Sequence, residues 1–241
     1  MQKSYFNLSP KETLEQLGVT SGGLDRAQAE QRLAQYGPNR LAEGEKKSWL
    51  SVFLEQFKDL LVAILIVAAI ISMFSGNLES TLVIFAVLIL NAVLGTVQYF
   101  KAEKSLESLK AMSAPSAKVL RDGQRMEVPG DQVVPGDIVE LEAGDLIVAD
   151  GRILNSWSLK VNESSLTGES EAVEKSRETI EGTEVALGDQ KNMAFSGSLV
   201  TYGRATMVVT ATGMDTQLGR IAALMNQTQQ RKTPLQKNLD D

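Results

Sequence analysis

The run V-N-E-S-S-L-T-G-E-S, from Val161 to Ser170, packs two carboxylates, four hydroxyls and one glycine into a short turn-rich stretch. What it could do is set by what the sequence lacks. With no cysteine and no histidine, disulfide frameworks, thiol catalysis, Ser-His and Cys-His triads, histidine zinc sites and imidazole proton shuttles are all removed. Any chemistry rests on carboxylates, hydroxyls, backbone groups or lysine. An inert exposed loop has the same composition, because Ser, Thr, Gly and Glu are ordinary loop residues. The run alone therefore leaves both readings open. No G-x-x-x-x-G-K-[S/T] phosphate loop occurs, Gly22-Gly23 begins no such pattern, and there is no D-x-D-x-D-G calcium loop. A net charge of −6 without a long basic run argues against a nucleic-acid partner.

The elements around that run read as β. From Ala117 the hydrophobic period is two: A-K-V-L-R, an Asp122-Gly123 turn signal, then Q-R-M-E-V. Further short runs follow at D-I-V-E-L, L-I-V-A-D-G-R-I-L, A-F-S-G-S-L-V and A-T-M-V-V-T-A-T. Turn signals roughly every 8 to 12 residues predict a sandwich or barrel-like β domain. A closing helix is expected over Asp215 to Gln229. Ahead of all this, Ser9-Pro10-Lys11-Glu12 has the form of a capping box opening a helix that stops at Gly18. Asp25 opens a second helix, which ends at Gly37-Pro38. Their apolar faces are modest, so the two helices need a partner surface.

Between these parts lie two uncharged stretches, Leu60 to Leu78 and Ser80 to Phe100, separated by Glu79. Crossing a bilayer core takes roughly 20 apolar residues in a helix, and both stretches come close. They predict a transmembrane hairpin turning at Ser75-Gly76-Asn77, the alternative being a buried helical hairpin in a soluble core. Lys46, Lys47 and Lys58 precede it and Lys101, Lys104 and Lys110 follow it, while the turn has no Lys or Arg, so both ends are expected in the cytoplasm. Neither span carries a carboxylate, which makes the two helices alone a poor ion path. Helical period continues to about Met112 as a stalk.

Taken together these strings resemble the P-type cation-transporting ATPases, over almost the whole chain. The actuator signature T-G-E-S stands at Thr167-Gly168-Glu169-Ser170, in an E-S-x-L-T-G-E-S context. In matching order come V-P-G-D at Val134 to Asp137, G-D-x-I-x-A-D-G-R-I-L at Gly144 to Leu154, A-T-G-M-x-T-x-L-G-R-I-A at Ala211 to Ala222 and T-P-L-Q-K-x-L-D at Thr233 to Asp240. The amino-terminal pattern from Leu8 to Leu41 looks like the calcium and sodium/potassium pump branch, type II, and the absence of a Cys-x-x-Cys pair agrees. Two positions depart from the usual pattern: Asn162 where relatives often have Asp, and Val148 where many have Pro.

The resemblance implies a multidomain α plus β membrane protein: an N-terminal cytoplasmic helical element over 1–45, a transmembrane hairpin with a stalk over 46–112, a mainly-β actuator domain over 113–232, and the start of a link to a third membrane helix over 233–241. It implies that Glu169 orients and deprotonates the water that hydrolyses an aspartyl phosphate, with Gly168 allowing close approach and Thr167 and Ser170 fixing the loop through hydroxyl bonds. Glu163 is expected to be structural, as a solvated or capping carboxylate. ATP and Mg²⁺ are implied for the complete pump, with neither expected on this chain alone, since no D-K-T-G string or nucleotide loop is present. Implied partners are the lipid bilayer, the phosphorylation, nucleotide-binding and remaining membrane domains, and the transported cation. Calcium leads, with sodium, proton and manganese open. The expected location is a plasma membrane, and the ending at Leu239-Asp240-Asp241 implies a partial pump. The alternative from another class is a non-catalytic, membrane-anchored β module that binds or regulates a partner.

Overall fold

A computed structural model describes residues 4–42, 47–76, 78–112 and 115–229. Contacts divide it into two compact units, one holding residues 4–42 and 115–229, the other 47–112. The T-P-L-Q-K-x-L-D string and the expected link over 233–241 lie outside the described residues.

The first unit begins with α1 (Pro10–Leu17) and α2 (Arg26–Tyr36). Both start where their local sequence dictates. The Glu12 N–H donates to Ser9 Oγ while the Ser9 N–H donates to Glu12 Oε2, and Asp25 and Gln28 make the same reciprocal pair at 2.7 and 3.0 Å. These helices are not free-standing. Leu14, Leu17 and Leu33 close over Val19, Leu24, Ala29 and Val134, and Leu14 and Leu17 also pack on Ile138, Leu154 and Val208 of the sheet. Burying a side chain such as Leu24 completely contributes about 1.5–3 kcal/mol, so the surface these helices need lies within their own unit. Asn39, just past α2, adds a polar clamp: its Nδ2 donates to the carbonyls of Gly130 and Val148, both at 2.9 Å, and its Oδ1 accepts from the Gly213 N–H at 2.7 Å.

In the second unit lie α3 (Trp49–Glu55), α4 (Leu60–Phe74) and α5 (Leu78–Met112). Helix α5 runs unbroken for 35 residues through the second apolar stretch and the stalk. Its Leu78–Ser108 part is long and apolar enough to cross a membrane. The first stretch behaves differently from the expected continuous span over Leu60 to Leu78. Helix α4 has 15 residues, about 22 Å at 1.5 Å per residue, and ends at a turn where Gly76 has φ +75°. Only as a pair, Trp49–Lys58 with Val62–Phe74, bent by 74°, does this region meet the length. Helices α4 and α5 pack together. Buried side chains of the unit include the small Ala69, Ala92 and Thr96, while Ile64, Phe74, Leu82 and Leu90 are exposed.

The β part of the first unit comprises β1 (Ser116–Arg121), β2 (Gln124–Pro129), β3 (Ile138–Glu142), β4 (Asp150–Asn162), β5 (Val173–Glu174), β6 (Met193–Ala194) and β7 (Leu199–Ala211), with a one-turn helix α6 (Ser164–Thr167) and α7 (Gln217–Gln229). The β1–β2 hairpin turns at Asp122-Gly123, both at positive φ. Strand order is β2-β1-β3-β7-β4-β5 with β6 on β4, every pair antiparallel. All seven strands thus belong to one connected sheet, and no pairing joins β2 to β5 among the described residues. The reason lies in β4 and β7. Each is 13 residues long, and turn-forming residues that suggested strand ends sit inside them as register shifts, at Ile153/Asn155 and Trp157/Lys160. Gly203 faces the second shift: a Cβ there would lie 2.3 Å from the Ser158 carbonyl oxygen. Val119, Ile153, Leu159, Met207 and Val209 form the centre of the core.

Candidate functional site

The T-G-E-S run is the exit from α6. The Leu166 and Thr167 N–H groups donate to the Glu163 carbonyl at 2.9 and 3.0 Å, and Thr167 Oγ1 donates to the same oxygen at 3.2 Å. Gly168 then reverses the chain at φ +78°, ψ −2°, with its N–H on the Ser164 carbonyl. An L side chain rarely adopts that conformation, so glycine here is required by the backbone; nothing lies within 4 Å of where a Cβ would stand. The Glu169 N–H donates back to Thr167 Oγ1 at 3.3 Å. Leu166 roots the turn in an apolar cluster with Phe6, Met193 and Phe195, and Ser165 Oγ donates to the Gly197 carbonyl at 3.2 Å. Asn162 supplies what an Asp would, since its Oδ1 accepts from the Ser164 N–H at 2.9 Å.

The four residues singled out by sequence thus lie together on one tight loop, with unequal parts. Glu169 is exposed, and among the described residues its carboxylate meets no donor or cation. Thr167 fixes the loop through its hydroxyl. Ser170 departs from expectation: it is exposed and makes no side-chain hydrogen bond among the described residues, because the chain is already leaving the turn there. No group of three or more acidic side chains suited to a metal ion occurs among the described residues.

Glu163 departs from the solvated or capping form expected of a structural carboxylate there. It is neither solvated nor a side-chain cap but fully buried, its Oε1 2.6 Å from the equally buried Lys175 Nζ. Lys175 also donates to the Gln190 carbonyl at 3.3 Å and lies 5.3 Å from the Phe195 ring centroid. Burial pushes the Glu163 carboxyl up and the Lys175 ammonium down, and the attraction between them opposes both shifts. Sequence reasoning passes over Lys175, although a signal exists: in A-V-E-K it takes an inward position of a two-residue period, sharing a face with Val173 across the exposed Glu174.

The remaining motif residues turn inward and build. Asp137 of V-P-G-D receives Arg121 in a two-pronged pair at 2.8 and 2.7 Å and caps the Val134 N–H at 2.9 Å. Asp150 accepts from the Ser196 and Gln217 N–H groups, each at 2.8 Å, tying α7 to β4; burial raises its pKa to about 6, although those two bonds and Arg220 act the other way. Arg152, fully buried, donates to the carbonyls of Leu8, Ile153, Arg177 and Asn192, and burial lowers its pKa to about 10.

The sequence that builds this loop and its framework matches known proteins closely. The family profile for the P-type ATPase actuator domain covers residues 111–226, and that for the cation transporter/ATPase N-terminus covers residues 5–72. The chain belongs to the P-type cation-transporting ATPases and carries the N-terminal and actuator segments of that family. It is 47% identical over 235 residues to a calcium-transporting ATPase of Listeria monocytogenes, and 47% identical over the same length to calcium-transporting ATPase 1 of Lactococcus lactis, with 98% of this chain aligned in each case. A probable cation-transporting ATPase F of Mycobacterium tuberculosis is 42% identical over 88% of the chain. The chain spans about a quarter of the length of these relatives, 27%, 27% and 23% respectively.

Proposed function

We propose that this chain forms the actuator-bearing N-terminal part of an ATP-driven calcium pump, and that Glu169 activates the water that hydrolyses the pump's aspartyl phosphate. One observation carries the reading: Glu169 is presented at an exposed loop tip, its backbone held by Thr167 and Gly168 and its carboxylate unpaired among the described residues. In the step it serves, the carboxylate takes a proton from water, the water oxygen bonds to phosphorus, and the bond from phosphorus to the aspartyl oxygen breaks, leaving inorganic phosphate and a free aspartate. The aspartate belongs to a part of the pump outside this chain. ATP and Mg²⁺ serve the complete pump; the described residues hold neither an acidic cluster nor a phosphate loop, so no step here runs through them. Calcium as cargo rests on the names of the Listeria and Lactococcus relatives.

The second unit inserts in a plasma membrane as a hairpin, which covers its exposed Ile, Leu and Phe side chains, with both ends in the cytoplasm. Because the chain has no cysteine, single cysteines at Gly76 and Ser176 report topology cleanly. They should label from opposite sides of sealed vesicles; labelling from the same side refutes the hairpin.

The catalytic reading is tested by Glu169→Gln in the complete pump. Phosphoenzyme should still form, while its hydrolysis slows roughly 10²- to 10⁴-fold, the usual range for loss of a general base. Thermal stability should stay within about 0.5 kcal/mol of the parent, as for an exposed site. Unchanged decay would remove Glu169 from the reaction and favour a non-catalytic interaction module.

A further inference from the structure

We propose that the buried Glu163–Lys175 pair is a positioning device for the T-G-E-S loop, fixing the place from which Glu169 acts; the proposal rests on the reading of Glu169 as the water-activating base. The two residues stand at either root of the loop. Lys175 is seated by three anchors: its N–H on the Leu159 carbonyl at 2.9 Å, its Nζ on the Gln190 carbonyl, and its Nζ over Phe195. Across the 2.6 Å contact it holds Glu163. The Glu163 carbonyl in turn collects both the backbone N–H and the hydroxyl of Thr167, and that hydroxyl accepts from the Glu169 N–H. A continuous path of contacts therefore runs from Lys175 through Glu163 and Thr167 to the backbone of Glu169.

Stability is a poor reason for such a pair. Taking both charges out of water costs more than a buried contact commonly returns, and apolar side chains of similar volume serve packing as well or better. What the pair supplies is geometry. One ammonium in contact with one carboxylate, and itself tied to Gln190 and Phe195, sets the separation between the two roots, which two apolar side chains would not fix. An error of about 1 Å in the placement of a catalytic group is worth on the order of 100-fold in rate.

The test uses the complete pump with Glu163→Met/Lys175→Met, which removes both charges and keeps the volume. Phosphoenzyme is formed from ATP, and its decay is followed after a chase. Only molecules that have phosphorylated are counted, so a loss of folded protein lowers the amplitude and leaves the rate untouched. The expected result is a decay roughly 10- to 100-fold slower than in the parent. Glu163→Asp, which keeps the charge but shortens the reach, should fall between parent and double variant. Adding the double change to Glu169→Gln should slow decay no further, because the placement of a missing base has no effect. Parent-like decay in the double variant, or full additivity with Glu169→Gln, overturns the proposal. If Glu169→Gln itself decays like the parent, the fault lies in the assignment of Glu169 rather than in the pair.

Discussion

Glu163 and Glu169 belong to the same motif and live in opposite surroundings. The first is sealed in the sheet's end with a lysine against it; the second stands in solvent, its carboxylate open to an incoming group. The same division runs through the whole unit. Asp137, Asp150 and Arg152 are buried and bonded to partners, and each ties together segments distant in sequence. In this protein the interior charges build, and the exposed one is the group we propose to react. That is the reverse of a pocket enzyme, whose reactive groups are those shifted by burial. It suits a catalytic group that meets its substrate only when another domain brings it close.

The largest expected effect that would break this comparison concerns an interior charge. Asp150 has its pKa raised from the ordinary 3.8 to about 6, chiefly by burial. A group raised on folding adds stability below its unfolded pKa and loses that contribution as pH rises through its folded one. Asp150→Asn is neutral throughout. The unfolding free energy of the parent should therefore gain on that of the variant as pH falls from 7 to 4, by up to about 3 kcal/mol, a two-unit shift at 1.36 kcal/mol per unit. Chemical denaturation at several pH values measures this; a gap independent of pH would mean that Asp150 is not held against its own desolvation.

A smaller effect sharpens the other side. Gly168 has open space where a Cβ would stand, so Gly168→Ala costs only backbone strain, about 1–2 kcal/mol for a left-handed residue. Thermal unfolding of the purified chain should show a loss of this size. A much larger loss would mean that the loop tip is tied into the packing no less firmly than the interior charges are.

Sequence makes some of this plain and hides the rest for physical reasons. The capping boxes at Ser9 and Asp25 and the turn at Asp122-Gly123 are local devices, complete within a few residues, and they fall where expected. The single sheet is not local: whether Trp157-Ser158 ends a strand or bulges within one depends on Gly203 and the rest of β7, far along the chain. The T-G-E-S loop is legible as a motif because backbone demands at Gly168 and Thr167 are written in residue type. Glu163 misleads because a glutamate in a Ser-rich run reads as solvated until Lys175 is known to face it.

Asn39, Arg152 and Asn192 impose an order of events on synthesis. Arg152 binds the Leu8 carbonyl and Asn192 binds the Phe6 carbonyl, while Asn39 waits for Gly213. A ribosome adding about 5–20 residues per second emits Asn192 roughly 10–40 s after Leu8. For that interval residues 4–42 have no completed surface to join, while the apolar stretches that follow them have already emerged. This unit is therefore closed by a segment made well before its sheet, and residues 4–42 must be kept soluble by their own polar faces until the sheet behind them exists.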